Sequence, residues 1–324
     1  MSVKYNFKKI HIKQDDYFAK FMDWDNVSPC YVLYYIEPGG PFLDNEMSDS
    51  IYNKGDFIPY HEHQLGVEVF LVDNGSVECH IRGKRAVAGK GDMIVITPYV
   101  SHGFVFLEDG VIWRGLFQQM RMNDGVLQLN RVNEYHPETA QDPAFGEYVY
   151  KRNGTEFFPW TPRLRDVDIS EIPQLRPYDF AIDRFDLEGI SFLQKVTRLE
   201  TDGNKEVWQI RLKKGIKLSF DEWNPHSILF VIYSGSVRVE LDGTESFCAG
   251  ERDILNIPSY TAGSVKTMEE TVLLDYNCKG YLHRALDELN SLEETDPAAY
   301  SDNAVREDIF KRADCFLRWR QVEK

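Results

Sequence analysis

The chain has 324 residues and a formal net charge of −15, so it is long enough for two domains, each with its own core. The negative charge argues against nucleic acid and anionic membranes as partners, because both bind a basic face. No apolar run could span a membrane, no secretion signal is visible, and the five scattered cysteines fit reduced thiols. We therefore expect a cytoplasmic protein with a small-molecule substrate, assembled as a homodimer.

Residues 1–121 contain short alternating segments separated by Gly, Asp and Asn turns. The clearest segments are Val67–Val72, Ser76–Arg82, Asp92–Thr97 and Val111–Phe117. Short strands at regular spacing, with turn signals between them, predict an all-β barrel or sandwich.

Three histidines and a glutamate within this region have the chemistry of a metal site. His61 and His63 are one residue apart, so on a strand both point to the same face, and Glu68 follows on the same or the adjacent strand. His102 lies on a later strand. Three imidazoles and a carboxylate suit transition metals better than Ca or Mg. We predict one divalent transition metal (Fe, Mn, Ni or Zn) held by His61, His63, Glu68 and His102.

The spacing of these residues resembles the two motifs of the cupin superfamily. Residues 55–75 follow G-x5-H-x-H-x4-E-x6-G, the first motif, at every fixed position. In the second motif His102 is correctly spaced, but Thr97 replaces a proline, and Val100 and Phe106 replace the distal residues. The resemblance implies a double-stranded β-helix, or jelly-roll, barrel with a metal site.

Residues beside the predicted ligands are candidates for catalysis and substrate binding. Glu68 could move a proton, Tyr99 could donate a hydrogen bond, and Arg114 could pair with a carboxylate or enolate. The predicted catalytic residues are therefore Glu68, Tyr99 and Arg114, and the predicted substrate-binding residues are Tyr60, Trp113 and Gln118. Each has a plain structural alternative, because aromatic residues fill small barrels and Arg114 could lie on an outer face.

Residues 122–185 are polar and rich in proline and aromatic residues, and we predict an inter-domain strap there. A segment this long could instead cover the mouth of the first barrel. Its Asn153-Gly154-Thr155 run is a formal glycosylation acceptor, which we interpret as a turn.

Residues 186–280 repeat the skeleton of the first barrel without its chemistry. Gly215 and Gly235 fall where glycines flank the first motif, but all four ligand positions have changed. The residues at these positions are Asp221, Trp223, Ile228 and Gly263. The chain thus resembles a bicupin with an intact N-terminal site and a degenerate C-terminal barrel.

Residues 281–324 differ in type from both barrels. Apolar residues at helical spacing predict helices over Tyr281–Glu294 and Asn303–Val322, with Asp302 or Asn303 as a cap. We expect this helical tail to pack on a barrel or a dimer mate. The expected fold is all-β, with two cupin barrels and short C-terminal helices.

The bicupin resemblance suggests several reactions. Bicupin enzymes include ring-cleaving dioxygenases, flavonol dioxygenases, oxalate-type decarboxylases and sugar-acid isomerases. Flavonol dioxygenases and oxalate decarboxylases keep the carboxylate ligand, as Glu68 does here, but oxalate decarboxylases usually keep ligands in both barrels. We expect a metal-dependent dioxygenase of a small phenolic, flavonol-like or carboxylate substrate. The alternatives are a metal-dependent isomerase, lyase or decarboxylase of a sugar acid or keto acid, and a non-catalytic small-molecule binding cupin.

Overall fold

In the computed structural model, the described residues are 11–12, 18–24, 27–36, 46–118, 122–159, 162–220, 222, 225–242, 246–315 and 318–321. The chain forms two compact units. The first runs Tyr17–Phe180, and the second joins Met1–Asp16 to Ala181–Lys324. By this division, residues 122–180 of the predicted strap group with the first barrel, and residues 281–324 group with the second. The predicted domain bounds stay a prediction.

The strands up to the strap are β1 (His11–Ile12), β2 (Phe18–Trp24), β3 (Val27–Ile36), β4 (Glu46–Tyr52), β5 (Phe57–His63), β6 (Val67–Asn74), β7 (Ser76–Ile81), β8 (Lys84–Gly89), β9 (Met93–Ile96), β10 (His102–Phe106) and β11 (Val111–Gln118). The strap contains α1 (Met122–Tyr135), α2 (Pro137–Ala140), α3 (Pro143–Arg152), β12 (Thr155–Phe157), β13 (Arg165–Asp166) and β14 (Leu175–Arg176).

The second unit continues with β15 (Arg184–Leu187), β16 (Ile190–Val196), β17 (Glu206–Leu212), β18 (Ile216–Phe220), β19 (Ile228–Ser234), β20 (Ser236–Leu241), β21 (Phe247–Gly250), β22 (Ile254–Ile257), β23 (Gly263–Thr267) and β24 (Thr271–Cys278). It ends with α4 (Leu282–Thr295), α5 (Pro297–Ser301), α6 (Asn303–Arg312) and β25 (Arg318–Gln321). Short 3-10 turns lie at Ile169–Glu171 and Leu199–Thr201.

Each unit pairs two sheets around an apolar core. The first unit has a six-stranded sheet, β12-β5-β10-β7-β8-β13, and a seven-stranded sheet, β14-β9-β6-β11-β4-β3-β2. Trp113 of one sheet packs against Phe104 of the other, with ring centroids 4.8 Å apart, and Phe70 lies 4.1 Å from the Trp113 ring. These three aromatic side chains thus form one layer within the apolar core between the sheets.

The second unit repeats this architecture. Its sheets have the orders β1-β22-β19-β24-β17-β16-β15 and β21-β20-β23-β18-β25. The edge strand β1 lies near the N-terminus of the chain and pairs with β22. Local sequence patterns do not predict this long-range pairing. Leu282, Leu286 and Leu289 of α4 are buried in the core of this unit. The predicted all-β fold of two jelly-roll barrels with short C-terminal helices is confirmed.

The helical parts depart from the prediction in two places. The strap contains α1 to α3, which the sequence pattern did not indicate because α1 carries Gly125 and three asparagines, all weak helix formers. In the tail, Asp302 caps α6 by accepting a hydrogen bond from the Ala304 amide, as expected. However, α6 ends at Arg312, Asp314 takes a left-handed φ of 50°, and β25 then pairs with β18.

Candidate metal centre

Three strands, two in one sheet and one in the facing sheet, bring three of the four predicted ligands together. β10 pairs antiparallel with β5 so that His102 lies directly opposite His61. Directly opposed residues share one face of a sheet, and their rings lie 4.2 Å apart between centroids. Glu68 belongs to β6 in the facing sheet. One donor atom from each of His61, Glu68 and His102 lies within 4.8 Å of the others, and all three side chains are buried.

Backbone carbonyls orient the two paired histidines. His61 Nδ1 lies 2.8 Å from the Pro59 carbonyl oxygen, and His102 Nδ1 lies 2.7 Å from that of Val100. A carbonyl only accepts, so each Nδ1 carries the proton and each Nε2 keeps its lone pair. Within the described residues, both Nε2 atoms and Glu68 Oε2 are buried without a hydrogen-bond partner. Converging lone pairs of this kind fit a bound cation, and backbone support of the second ring nitrogen is typical of metal-ligating histidines.

His63 lies beside this trio and does not belong to the set of mutually close donors. Its Nε2 is 3.2 Å from Glu68 Oε2, and His102 Nε2 is 3.1 Å from the same oxygen. These separations are short, but their directions do not meet hydrogen-bond geometry. The structure therefore brings His61, Glu68 and His102 together and places His63 next to Glu68.

The protonation states of the cluster suit metal binding. Burial, with a smaller effect of nearby His102, lowers the pKa of His61 to about 3, so His61 is neutral at pH 7. Burial alone would raise the pKa of Glu68, but His63 and His102 outweigh it and hold that pKa well below its usual value. Burial alone would lower the pKa of His63, but the Glu68 charge raises it. A neutral imidazole and an ionised carboxylate are the forms that bind metals.

The predicted catalytic residue Arg114 lies away from this cluster. Trp113 packs into the aromatic core, so the next residue of β11 points to the opposite face. There Arg114 is buried and makes a bidentate pair with Asp49, with Nε–Oδ1 at 2.7 Å and Nη2–Oδ2 at 2.9 Å. The carboxylate partner of Arg114 in the structure is thus Asp49, and the structure does not bring Arg114 to the metal donors. Its catalytic role stays a prediction.

The tyrosines also lie apart from the donor atoms. Tyr60 directly precedes the inward-facing His61 on β5, so strand alternation turns it to the other face, where its hydroxyl lies 2.9 Å from Ser101 Oγ. Tyr99 is 63% exposed and adopts a φ of 62°. Tyr260 in the second barrel has a φ of 59° and similar exposure, so this conformation accompanies the barrel whether or not ligands are present.

Trp113 and Gln118 are the remaining predicted substrate-binding residues. Trp113 lies in the core among Phe70, Phe104 and Phe106, and Phe104 is the residue that connects this layer to His102, at 5.4 Å between centroids. Gln118 pairs with Val67 at the end of β11, but its side chain lies outside the described residues.

The strap supplies a wall of the site that sequence reasoning missed. β12 pairs with the free edge of β5, and Phe157 lies opposite His61 with their rings 5.1 Å apart. Tyr150 of α3 packs edge-on against Phe157 at 4.9 Å. The sequence signal for this arrangement was the aromatic content of residues 150–158, which was consistent with a strap covering the barrel mouth.

In the described part of the second barrel, the two positions that can be compared carry no donor. Ile228 and Gly263 begin β19 and β23, at the positions equivalent to Glu68 and His102, and neither side chain can bind a metal. Asp221 and Trp223 lie outside the described residues. Among the residues that the structure describes, His61, Glu68 and His102 form the one group with metal-ligand proximity.

Comparison with known proteins agrees with this architecture. Residues 49–112 match the family model described as a cupin domain. A structure of the oxalate decarboxylase of Bacillus subtilis, studied for its Mn(II) centres, superposes with a TM-score of 0.52 at 13% identity, covering 97% of this chain and 89% of the other. The chain has the bicupin fold. The predicted cupin resemblance is confirmed for residues 49–112.

Two further bicupin structures give the same result. Another structure of the Bacillus subtilis enzyme has a TM-score of 0.50 at 14% identity and covers 89% of this chain and 83% of that one. An oxalate decarboxylase studied for proton-coupled electron transfer has a TM-score of 0.51 at 14% identity, covering 84% and 78%. At this identity the likeness shows the fold alone.

No protein of curated function matches the sequence. No described helix is long and apolar enough to cross a membrane.

Proposed function

We propose that this bicupin is a metal-dependent decarboxylase, or a related lyase, of a small carboxylic acid. The observation that carries the proposal is the buried set of donor atoms in the first barrel, where two imidazole Nε2 atoms and Glu68 Oε2 converge without a hydrogen-bond partner among the described residues. The bicupin neighbours, which are oxalate decarboxylases, support this choice of reaction over the dioxygenase expected from the sequence. Dioxygenase chemistry stays a prediction that the comparisons do not favour.

The residues of the first barrel would have separate roles in this reaction. His61, Glu68 and His102 would hold the ion, with His63 available beside Glu68. A bound divalent metal supplies positive charge that binds and polarises a carboxylate. Manganese is our first choice, by analogy with the Mn(II) centres of the neighbouring enzyme. Phe157 packs on His61 and Phe104 on His102, and both histidines are buried, which would strengthen electrostatic interactions inside the site.

Decarboxylation requires no net oxidant. One carbon–carbon bond breaks, carbon dioxide leaves, and the electron pair stays on the remaining carbon, which takes up a proton. For oxalate the products are carbon dioxide and formate. Dioxygenation, in contrast, incorporates molecular oxygen into the product, so the two reactions differ in oxygen balance.

The test measures product formation and oxygen consumption by the full chain loaded with Mn(II). Oxalate is supplied, and carbon dioxide, formate and dissolved oxygen are followed together. Equal amounts of carbon dioxide and formate with no net oxygen uptake support the proposal, and His102→Ala should abolish turnover while His80→Ala, outside the donor set, retains it. Oxygen uptake in proportion to product would favour the dioxygenase. Ligand retention without any product would favour the non-catalytic binding cupin. The cytoplasmic location and the homodimer also stay predictions.

A further inference from the structure

The strap strand β12 places a hydroxyl on the metal-facing side of β5. The register pairs Thr155 with His63 and Phe157 with His61. The pairing is extended at both ends, because the Gln64 amide donates to the Gly154 carbonyl at 2.7 Å and the Phe158 amide donates to the Tyr60 carbonyl at 2.9 Å. The position of Thr155 relative to His63 is therefore fixed by backbone hydrogen bonds.

Two observations show that the Thr155 side chain shares the face of the histidines. Phe157, two residues later on the same strand, packs its ring on His61 at 5.1 Å. Residues two apart on a strand point the same way, and directly opposed residues have Cβ atoms roughly 4.5–5.5 Å apart. The Cβ of Thr155 thus lies beside that of His63, in the row next to Phe157, His61 and His102.

The hydroxyl of Thr155 is buried beside the metal-facing histidines. Thr155 is 1% exposed, and within the described residues its Oγ1 makes no hydrogen bond. Buried hydroxyls normally have a partner, since one left without any is costly. A neutral hydroxyl is a poor competitor for a transition metal beside imidazole and carboxylate donors. It is, however, a good donor to an oxygen of a molecule bound at the metal.

The surroundings restrict what that molecule can be. Phe157 is half-buried between His61 and Tyr150, so the wall next to Thr155 is apolar and leaves the hydroxyl as its polar group. A small carboxylic acid fits, because one carboxylate oxygen can face the metal while another accepts a hydrogen bond. A buried hydrogen bond to a charged oxygen is stronger than one to a neutral oxygen.

We propose that Thr155 is a substrate-positioning residue, whose hydroxyl donates a hydrogen bond to a carboxylate oxygen of a small acid bound beside His61, Glu68 and His102. This inference rests on the proposed function, since it takes the metal site as given. It also explains the Asn153-Gly154-Thr155 run without glycosylation. Asn153 is 7% exposed, and its side-chain amide donates to the Val149 carbonyl at 2.8 Å. The run is therefore a buried turn that ends α3 and starts β12.

The test compares oxalate binding by Mn(II)-loaded full-length variants, using titration calorimetry and metal analysis. Thr155→Val removes the hydroxyl at nearly constant volume and should weaken oxalate binding roughly 10- to 100-fold without loss of bound manganese. Thr155→Ser restores the hydroxyl and should bind oxalate nearly as tightly as the wild type. Thr155→Ala serves as the hydroxyl-free variant if Thr155→Val does not fold.

Thr267→Val is the matched control, because Thr267 is a buried threonine of the second barrel whose hydroxyl donates to the Lys213 carbonyl at 2.7 Å. It should lose stability and keep its affinity for oxalate. Equal oxalate affinity in the wild type and Thr155→Val would overturn this inference alone. Loss of manganese in Thr155→Val would overturn it too, since Thr155 would then orient His63. A wild type that takes up manganese but no oxalate would overturn the proposed function, and this inference with it.

Discussion

The buried pair of Arg114 and Asp49 distinguishes a structural arginine from a catalytic one. Both side chains are at most 1% exposed, and two hydrogen bonds of 2.7 and 2.9 Å join them on the face of β11 opposite Trp113. Replacing Arg114 with methionine leaves the Asp49 carboxylate buried without its bidentate partner. We expect a large loss of stability and no loss of metal or oxalate binding.

The magnitude follows from the burial of both charges. Removing one partner of a buried ion pair costs roughly 3–5 kcal/mol, which for a unit of this size lowers the melting temperature by roughly 6–20 °C. Replacing both partners, as in Asp49→Leu with Arg114→Met, leaves no uncompensated charge and should recover most of the loss. Calorimetric melting of the wild type, the two single variants and the double variant measures the coupling between the two residues.

One pattern of results would refute this reasoning. If Arg114→Met melted with the wild type but bound oxalate weakly, the guanidinium would act on the substrate, as the sequence alone suggested. If the double variant were as unstable as the single ones, the pair would not be the main partner of either charge.

Two further predictions concern proton binding and backbone geometry. The metal-free wild type should lose stability as the pH falls from about 6.5 to about 3. In this range His61 takes up a proton in the unfolded chain but not in the folded one, where its pKa is lowered to about 3. In His61→Gln the melting temperature should depend less steeply on pH, and a slope equal to that of the wild type would contradict the prediction. Gly75 and Gly235 occupy equivalent turns with φ of 84° and 85°, so alanine at either should cost roughly 1–2 kcal/mol from the left-handed backbone. Gly235→Ala should cost more in denaturant unfolding, because its Cβ would clash with the Glu270 carbonyl oxygen, a backbone atom, whereas at Gly75 it would meet the Val111 side chain at 2.8 Å. An equal loss would show that the backbone near Gly235 shifts to make room.

Much of the fold was predictable because its signals are local. Alternating segments and glycine turns indicated the strands of both barrels, and the spacing of His61, Glu68 and His102 indicated the donor set. Strand alternation also placed His61 and His63 on one face. Strand alternation could not show that His63 lies beside Glu68, outside the set of mutually close donors. Alternation fixes the face to which a side chain points, but it does not fix the position of the ring nitrogens on that face.

The rest depends on contacts between distant parts of the chain. The structural role of Arg114 is not visible in the sequence, because its partner, Asp49, lies 65 residues away. Pairing between two strands cannot be recognised from either segment alone. β12 has three residues, too few for a period to show, so neither its pairing with β5 nor the position of Thr155 could be read. α1 escaped prediction for a different reason, since its weak helix formers are offset by tertiary contacts such as the hydrogen bond that the Asn153 side-chain amide donates to Gln128 Oε1 at 3.4 Å.

The central claim is that one metal ion binds in the first barrel through His61, Glu68 and His102. The most direct measurement is the metal content of the purified chain, by elemental analysis, after loading with Mn(II) and removal of free metal. We predict one ion per chain in the wild type, none above background in His102→Ala, and one in His80→Ala, whose ring contacts Glu78 at 2.6 Å instead of the donor set. A full ion retained by folded His102→Ala, or two ions per wild-type chain, would contradict the account.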